Sequence, residues 1–218
     1  VTFDEQGGTT PNPTSKTVTY DSTYGMLATT LRSGYTFTGW YTQMSDGTKI
    51  ENTTTVSTET DHTLYAHWTA DSYSITYTLN GGTNASSNPA TYTIETPTIT
   101  LAEPTKPNYT FDGWYTSSTF SGSPVTSIDQ GSTGTKAFYT KWTLNSYSVI
   151  FNANGGSGSM SSQAIPYNTQ AMLDANAFTR TGYAFTAWNT QANGLGSSYT
   201  DQVYFTMGGT DTTLYAQW

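Results

Sequence analysis

Apolar and polar residues alternate near the start of the chain, and the same alternation returns twice. The apolar positions are Val1 and Phe3, then Ile75, Tyr77 and Leu79, then Val149, Phe151 and Ala153. Because successive side chains of a strand point to opposite faces, this pattern predicts a half-buried strand. Each copy leads into a glycine pair, Gly7-Gly8, Gly81-Gly82 and Gly155-Gly156, where we expect a turn because glycine readily adopts positive φ.

A longer motif predicts another strand and sets the period of the chain. Its copies are residues 34–41, 108–115 and 182–189, and their tryptophans, Trp40, Trp114 and Trp188, follow one another at intervals of 74 residues. A repeat of this length is typical of small tandem domains rather than of a solenoid. We therefore expect three domains, at residues 1–70, 71–144 and 145–218.

Strict alternation within this motif divides its aromatic residues between two faces. Tyr35, Phe37 and Tyr41 share one face, and Trp40 lies on the other with Thr36 and Thr38. Since both faces carry an aromatic ring, the pattern predicts a central strand that is covered at least partly on both sides.

The last strand of each repeat also alternates. Leu64, Ala66 and Trp68 are expected to point inward, and Tyr65 and His67 outward. The copies are residues 138–142 and 214–218. Four-residue linkers, 69–72 and 143–146, then lead to the next repeat, and linkers this short restrict bending between domains.

The remaining pattern predicts one more strand and a crossover. The strand is expected at residues 17–20, 91–94 and 164–167. Residues 169–176 resemble a capped turn or two of helix, but the counterpart segment 96–101 carries proline and β-branched residues. A short irregular or 3₁₀ crossover is therefore favoured, anchored in the core by Leu27, Leu101 and Leu173.

In combination, these motifs resemble the Listeria-Bacteroides repeat, the family that includes the B repeat of internalin-type surface proteins. The resemblance rests on Asn-Gly-Gly, Gly-Tyr-Thr-Phe-Thr-Gly-Trp-Tyr and Leu-Tyr-Ala-His-Trp, and it covers the chain three times. It implies a mainly β, α+β domain of the β-grasp, SUMO-like type in secreted or wall-attached bacterial proteins, often as tandem spacers or adhesin modules. The third copy departs with Ala187 and Asn189, so its surface is expected to differ.

Composition and charge exclude several classes of protein. Aromatic residues make up 15% of the chain and charged residues 10%, which favours a packed core over disorder. The seven Lys and Arg residues are scattered in a chain of net charge −8, so no nucleic-acid partner is expected. No apolar run is long enough for membrane insertion. Because Val1 begins within a strand pattern, we read the chain as a monomeric fragment of a longer protein.

The sequence predicts no catalysis, metal or cofactor. There is no cysteine, and both histidines, His62 and His67, lie in the first repeat. Position 67 becomes Lys141 and Gln217, which an outward strand position tolerates and a metal site does not. The acidic residues do not recur between copies either, and nothing in the sequence requires two of them to converge on one site.

The recurrent aromatic residues leave core and ligand-binding interpretations open. Core positions are predicted at Phe37, Phe111, Phe185, Trp68, Trp142 and Trp218. A candidate ligand platform consists of Trp40, Trp114 and Trp188, with the outward Tyr65, Tyr139 and Tyr215. The first hypothesis is a non-catalytic spacer and adhesion module that binds a surface protein or glycan of a host or neighbouring cell. The alternatives are a carbohydrate-binding module and, with least support, an enzyme or its accessory domain.

Overall fold

The computed structural model describes all 218 residues, and its regular structure consists of seventeen strands without a helix. The first repeat contributes a four-stranded sheet. Its strands are β1 (Thr2–Asp4), β2 (Tyr35–Tyr41), β3 (Lys49–Ile50) and β4 (Thr63–Ala70). They are ordered β1-β4-β2-β3, with β1 parallel to β4 and the other neighbours antiparallel.

The second repeat forms a similar sheet and a separate short ribbon. Its strands are β5 (Tyr73–Thr78), β6 (Thr91–Tyr92), β7 (Ile99–Thr100), β8 (Tyr109–Tyr115), β9 (Ser127–Ile128) and β10 (Lys136–Leu144). The sheet has the order β6-β5-β10-β8, and β7 pairs with β9. The first and last strands, β5 and β10, are again parallel neighbours.

The third repeat has the most complete sheet. Its strands are β11 (Ser146–Asn152), β12 (Gln163–Pro166), β13 (Gln170–Met172), β14 (Ala187–Asn189), β15 (Ser198–Tyr199), β16 (Tyr204–Thr206) and β17 (Thr212–Gln217). The order is β12-β11-β17-β14-β15, with β11 parallel to β17, and β13 pairs with β16 in a ribbon.

The core of each sheet forms on the face that the alternation predicts. Phe3, Leu64 and Ala66 are buried in the first repeat, and Phe151, Leu214 and Ala216 are their buried counterparts in the third. Burial of apolar area is the main stabilising term in such small units. The outward Tyr65 and His67 remain half-buried.

The expectation about the crossover is wrong. The crossover is extended rather than helical or 3₁₀, because the short strands β7 and β13 pair with β9 and β16 there. Leu101 and Leu173 still enter the core, while Leu27 is half-buried. The β-grasp, SUMO-like class is therefore not established, since the structure has a mixed sheet but lacks a helix on its face.

The predicted strand at residues 17–20 is absent from the first repeat, although β6 and β12 form at the corresponding places. In the third repeat this strand pairs with Ser146–Val149. In the first repeat Val1 exchanges backbone hydrogen bonds with Lys16, just before these residues, and 17–20 themselves form no strand.

The chain folds into two compact units. One holds residues 1–78, 85–102 and 115–139, and the other holds 79–84, 103–114 and 140–218. Since this boundary runs through the second repeat, the domain boundaries near 70 and 144 remain predictions. The connections between repeats are shorter than expected, with two residues between β4 and β5 and one between β10 and β11.

Candidate interaction surface

A β-bulge in β2 decides where the first tryptophan of the first repeat lies. Phe37 pairs with Trp68, but Gly39 pairs with His67, so one extra residue is inserted between them. An inserted residue reverses the alternation beyond it. Trp40 therefore returns to the face of Phe37, and the two rings meet edge to face at 5.5 Å. Gly39 has φ of 142° in the bulge, a conformation in which glycine is strongly preferred.

The predicted ligand platform at Trp40, Trp114 and Trp188 is wrong. Their exposed fractions are 1%, 1% and 0%. The Trp40 indole N–H is also satisfied internally, since it donates to the Ala28 carbonyl at 2.8 Å. A ring without accessible surface cannot stack on a sugar or a protein. For Trp40, strict alternation predicted the wrong face because it did not include the bulge in β2.

The second tryptophan of each repeat fixes the glycine turn. Trp68, Trp142 and Trp218 are half-buried, and each indole N–H donates at 3.0 Å to a backbone carbonyl just before the turn. A Cβ on the second glycine of each pair would lie 2.5–2.6 Å from the indole ring. The first glycine has the expected positive φ, but the second is required by the approach of the ring.

The predicted core phenylalanines connect the two tryptophans. Phe37 makes edge-to-face contacts with both Trp40 and Trp68, and Phe185 does so with Trp188 and Trp218. Such contacts add modestly to the apolar burial of the rings. Phe111 makes the same contacts with Trp114 and Trp142. All three phenylalanines are half-buried, so they lie at the border of the core.

A basic residue recurs at a matching position of each repeat, although the sequence predictions did not include it. Arg32, Lys106 and Arg180 are 74 residues apart and lie over the rings of Tyr35, Tyr109 and Tyr183, at 3.8, 4.0 and 4.2 Å from the ring centres. Lys106 also donates to the carbonyl of Asn80 at 2.8 Å. A cation over an aromatic face is attracted by the ring quadrupole. The equal spacing of these three basic residues in the sequence could have identified them as a repeated feature.

The outward tyrosines of the proposed platform lie on the opposite face of the last strands. Tyr65, Tyr139 and Tyr215 are half-buried. In the first repeat this face also carries Tyr41, which stacks on His67 with 3.9 Å between ring centres. The role of these tyrosines in ligand binding stays a prediction.

Asn189 explains the departure of the third repeat. Its buried amide donates to the carbonyls of Gly194 and Gly196 and accepts from the backbone N–H groups of Gln191 and Gly196. A tyrosine could not supply this set of donors and acceptors. The change therefore builds the loop between β14 and β15 rather than removing a ring from a shared ligand site.

The junction after the first repeat is short, and hydrogen bonds also fix its position. The Asp71 N–H donates to the Gly34 carbonyl at 2.9 Å, and the Thr36 hydroxyl donates to the Asp71 carboxylate at 2.6 Å. The Tyr35 hydroxyl donates to Glu95 of the second repeat at 3.0 Å. Burial and this carboxylate raise the pKa of Tyr35.

The junction after the second repeat has the equivalent hydrogen bonds. The Asn145 N–H donates to the Asn108 carbonyl at 2.9 Å, and the Thr110 hydroxyl donates to the Asn145 side chain at 2.7 Å. Asn108 additionally accepts from the Tyr147 hydroxyl at 3.0 Å. Both connecting residues are therefore bonded to the preceding repeat.

Two titratable groups of the first repeat, Tyr24 and His62, are in direct contact. Tyr24 and His62 are hydrogen bonded at 2.7 Å, and burial raises the pKa of Tyr24. The other ring nitrogen of His62 lies 3.0 Å from the Thr60 carbonyl, so both of its nitrogens have protein partners. No group of three or more His, Cys, Asp or Glu residues is arranged to hold a metal ion.

These features define a class of protein in which small mixed sheets are repeated in tandem and joined by short, bonded connections. The model of the Listeria-Bacteroides repeat domain matches residues 1–67, 73–141 and 147–217. The chain belongs to this family.

Three curated proteins illustrate its relatives. A "Putative membrane protein" of Evansella cellulosilytica is 30% identical over 230 residues, covering 100% of this chain and 32% of that protein. A "Putative Gly-rich membrane protein" of the same organism is 31% identical, covering 94% of the chain and 23% of that protein. Internalin H of Listeria monocytogenes is 39% identical over 88 residues, covering 40% and 15% respectively. The chain thus spans a third or less of each relative.

No solved structure matches the chain significantly. The structure also contains no helix of the length and hydrophobicity needed to cross a membrane.

Proposed function

We propose that this chain is a non-catalytic, semi-rigid spacer in a bacterial surface or secreted protein, where it also takes part in adhesion. Membership of the Listeria-Bacteroides repeat family and the similarity to Internalin H support a surface location. The spacer role is supported by the one- and two-residue connections and by their hydrogen bonds to the preceding repeat.

The observation that carries the proposal is the pairing of the first and last strands in every repeat. β1 with β4, β5 with β10 and β11 with β17 are parallel neighbours. When the two ends of a repeat are pulled apart, such strands slide along each other, and several hydrogen bonds carry the load together. Buried side chains such as Leu64 and Phe138 flank these ladders and exclude water from them. A spacer in an adhesive surface protein needs this resistance.

Single-molecule pulling on the third repeat tests this proposal. The chain has no cysteine, so handles can be attached at Ser146→Cys and Gln217→Cys, which load the parallel pair β11 and β17 along the strands. In a second variant the handles are Thr186→Cys and Gln217→Cys, beside the end of the antiparallel pair β14 and β17. This second geometry breaks hydrogen bonds one at a time.

We expect the unfolding force to be several-fold higher in the first geometry. The Gln217 handle is shared, so a difference reports direction rather than the stability of the repeat. Thermal unfolding of both variants without load is the control. Equal forces in the two directions would remove the physical basis of the spacer role.

Within the predicted platform, carbohydrate binding is retained only for the outward tyrosines, because the buried tryptophans cannot contribute to it. Tyr65, Tyr139 and Tyr215 occupy matching positions on the three sheets. A glycan array probed with the whole chain, and with a variant in which all three are serine, tests this function. Hits that are lost in the variant support it, and an array without hits contradicts it.

A further inference from the structure

The turn after the first strand carries an asparagine in the second and third repeats. Asn80 and Asn154 have φ of 47° and 46°. Each Nδ2 donates to a carbonyl of the last strand, to Thr140 at 2.7 Å and to Ala216 at 2.9 Å. Asn154 also donates at 2.9 Å to the carbonyl of Ala192, in the loop between β14 and β15. The asparagine therefore occupies the space beside the last strand in these two repeats.

Gln6 takes the place of this asparagine in the first repeat. It has the same backbone conformation, with φ of 45°, but its Nε2 donates to the Asp4 carboxylate at 2.8 Å. The Ala66 carbonyl corresponds to those of Thr140 and Ala216, and it lacks the side-chain donor that these two receive. An open hollow of about 320 Å³ lies at this place, lined by Gln6 and Ala66 among others.

Charged groups of both signs line this hollow. Arg32, Asp46 and Glu95 contribute to it together with the half-buried Trp68, and all four belong to the same compact unit. Asp46 is exposed to solvent. The Tyr35 hydroxyl donates to Oε1 of Glu95 at 3.0 Å, which leaves Oε2 for a ligand. The hollow therefore offers a guanidinium group, two carboxylates and part of an indole ring.

The loop that carries Asp46 is held in place before any ligand binds. The Thr42 N–H donates to the Thr48 carbonyl at 3.1 Å, and the Thr48 N–H donates back to the Thr42 hydroxyl at 3.0 Å. The same loop is bonded to the last strand, because His67 Nε2 donates to the Gln43 carbonyl at 2.8 Å. A preorganised site loses less conformational freedom on binding.

The mixture of groups in the hollow favours a neutral ligand with several hydroxyl groups. The two carboxylates repel an anion, and the Arg32 guanidinium repels a cation. A hydroxyl group can donate to a carboxylate or to the Ala66 carbonyl and can accept from a guanidinium, so a sugar offers a partner to each of them. The Trp68 ring adds apolar surface. The volume of 320 Å³ is at the lower end of the range of about 300–1,000 Å³ for ligand pockets, which suits a single sugar residue.

We propose that this hollow, which we call the sugar site, binds one sugar residue of a glycan. The site gives a partner and a location to the adhesion part of the proposed function and rests on it, whereas the spacer role does not depend on it. It lies apart from the predicted platform of tryptophans and outward tyrosines. It also occurs once in the chain, because Asn80 and Asn154 fill the corresponding place and Phe120 and Gly194 replace Asp46.

Titration with free sugars, followed by NMR, tests the sugar site. The whole chain, labelled with nitrogen-15, is titrated with glucose, galactose, mannose and N-acetylglucosamine. Each sugar is taken to about 100 mM, because a single-sugar contact is expected to have a Kd in the millimolar range. The indole N–H groups of Trp68, Trp142 and Trp218 are matched probes, since each donates to a carbonyl before the glycine turn.

We expect at least one sugar to shift the Trp68 signal in a saturable way and to leave the Trp142 and Trp218 signals unchanged. Only the first of these rings borders the sugar site. The proposal is overturned when none of the four sugars shifts the Trp68 signal, or when all three signals shift alike.

Gln6→Asn is the most direct variant, because it supplies the side chain that fills this place in the other two repeats. The φ of 45° at Gln6 matches the values at Asn80 and Asn154, so the fold should be retained. This variant should abolish the response of Trp68 to the sugar. A response that persists unchanged would contradict the assignment of the site.

Asp46→Asn removes one carboxylate from the sugar site. It should raise the Kd about tenfold, the effect of losing one charge-assisted hydrogen bond. Asp21→Asn is the matched control, since Asp21 has φ of 63° against 56° at Asp46 and does not line the hollow. Its Kd should equal that of the unchanged chain. Equal values for Asp46→Asn and Asp21→Asn would show that the Asp46 carboxylate does not bind the sugar.

A chain with Tyr65→Ser, Tyr139→Ser and Tyr215→Ser separates the sugar site from the outward tyrosines. The Trp68 response should persist in this chain. Loss of the response here, with retention in Gln6→Asn, would overturn the sugar site and assign sugar binding to the tyrosines. Either result leaves the spacer role to the pulling experiment, so the two proposals fail separately.

Discussion

The two tryptophans of each repeat lie on neighbouring strands or, for Trp218, directly after one, yet they stabilise different parts of the molecule. Trp40, Trp114 and Trp188 fill the centre of the core and are almost wholly inaccessible to solvent. Trp68, Trp142 and Trp218 lie at the border, where each ring covers a glycine turn and bonds the carbonyl before it. The comparison shows that an aromatic residue can recur because a core must be filled or because a turn must be held.

The largest effect is expected from removing a central tryptophan. Trp188→Ala should lower the free energy of unfolding by about 3–5 kcal/mol, because it deletes a ring that contacts Phe151, Phe178 and Phe185. Chemical denaturation followed by circular dichroism measures this loss. A change below about 0.5 kcal/mol, the size usual for surface substitutions, would mean that the ring is not part of the core.

A smaller loss is expected when the glycine under the second tryptophan is filled. Gly156→Ala introduces a Cβ 2.5 Å from the Trp218 ring and 2.9 Å from the Thr179 carbonyl. Overpacking of this kind costs about 1–3 kcal/mol. Gly208→Ala is the matched control, because no atom lies within 4 Å of its Cβ position and its φ is not positive. Denaturation curves of the two variants should differ by this amount, and overlapping curves would contradict the contact.

Removal of the second tryptophan should cost less than removal of the first. Trp218→Ala deletes a half-buried ring and should lower the free energy of unfolding by about 1–3 kcal/mol, since less apolar area is lost. In this background the cost of Gly156→Ala should also fall, which a double-mutant cycle measures. A cycle with no coupling would show that the indole ring does not hold the turn.

The smallest effect is expected on the outward face. Tyr215→Ser should change the free energy of unfolding by about 0.5 kcal/mol or less. The reason is that Tyr215 is half-buried on the outward face of the sheet and is not part of the core. Thermal unfolding of Tyr215→Ser and of Trp218→Ala, measured under the same conditions, compares the two losses of stability. A loss as large as that of Trp218→Ala would assign this tyrosine to structure and leave no reason to regard it as a ligand platform.

Much of the architecture could be read from the sequence. The 74-residue period locates the three repeats, and alternation in the last strand correctly separates Leu64 and Ala66, which are buried, from Tyr65 and His67, which face outward. These predictions succeeded because regular alternation in a strand depends only on local geometry.

The crossover and the candidate site could not be read in the same way. Residues 169–176 have good helix formers, yet Gln170–Met172 forms a strand because it pairs with residues far away in the sequence. The close approach of Gly34 to Ile94 and Thr133 was missed because the partners come from different repeats. The same is true of Asn108 and Gly209.

The sequence by itself determined that the chain is a tandem array of mainly β repeats and that two tryptophans recur in each. The tertiary structure decided which tryptophan is buried. The physical reason is the bulge after Phe37, a single inserted residue that returns Trp40 to the inward face. A count along the chain cannot reveal such an insertion, because it is defined only by the residues that pair across the sheet.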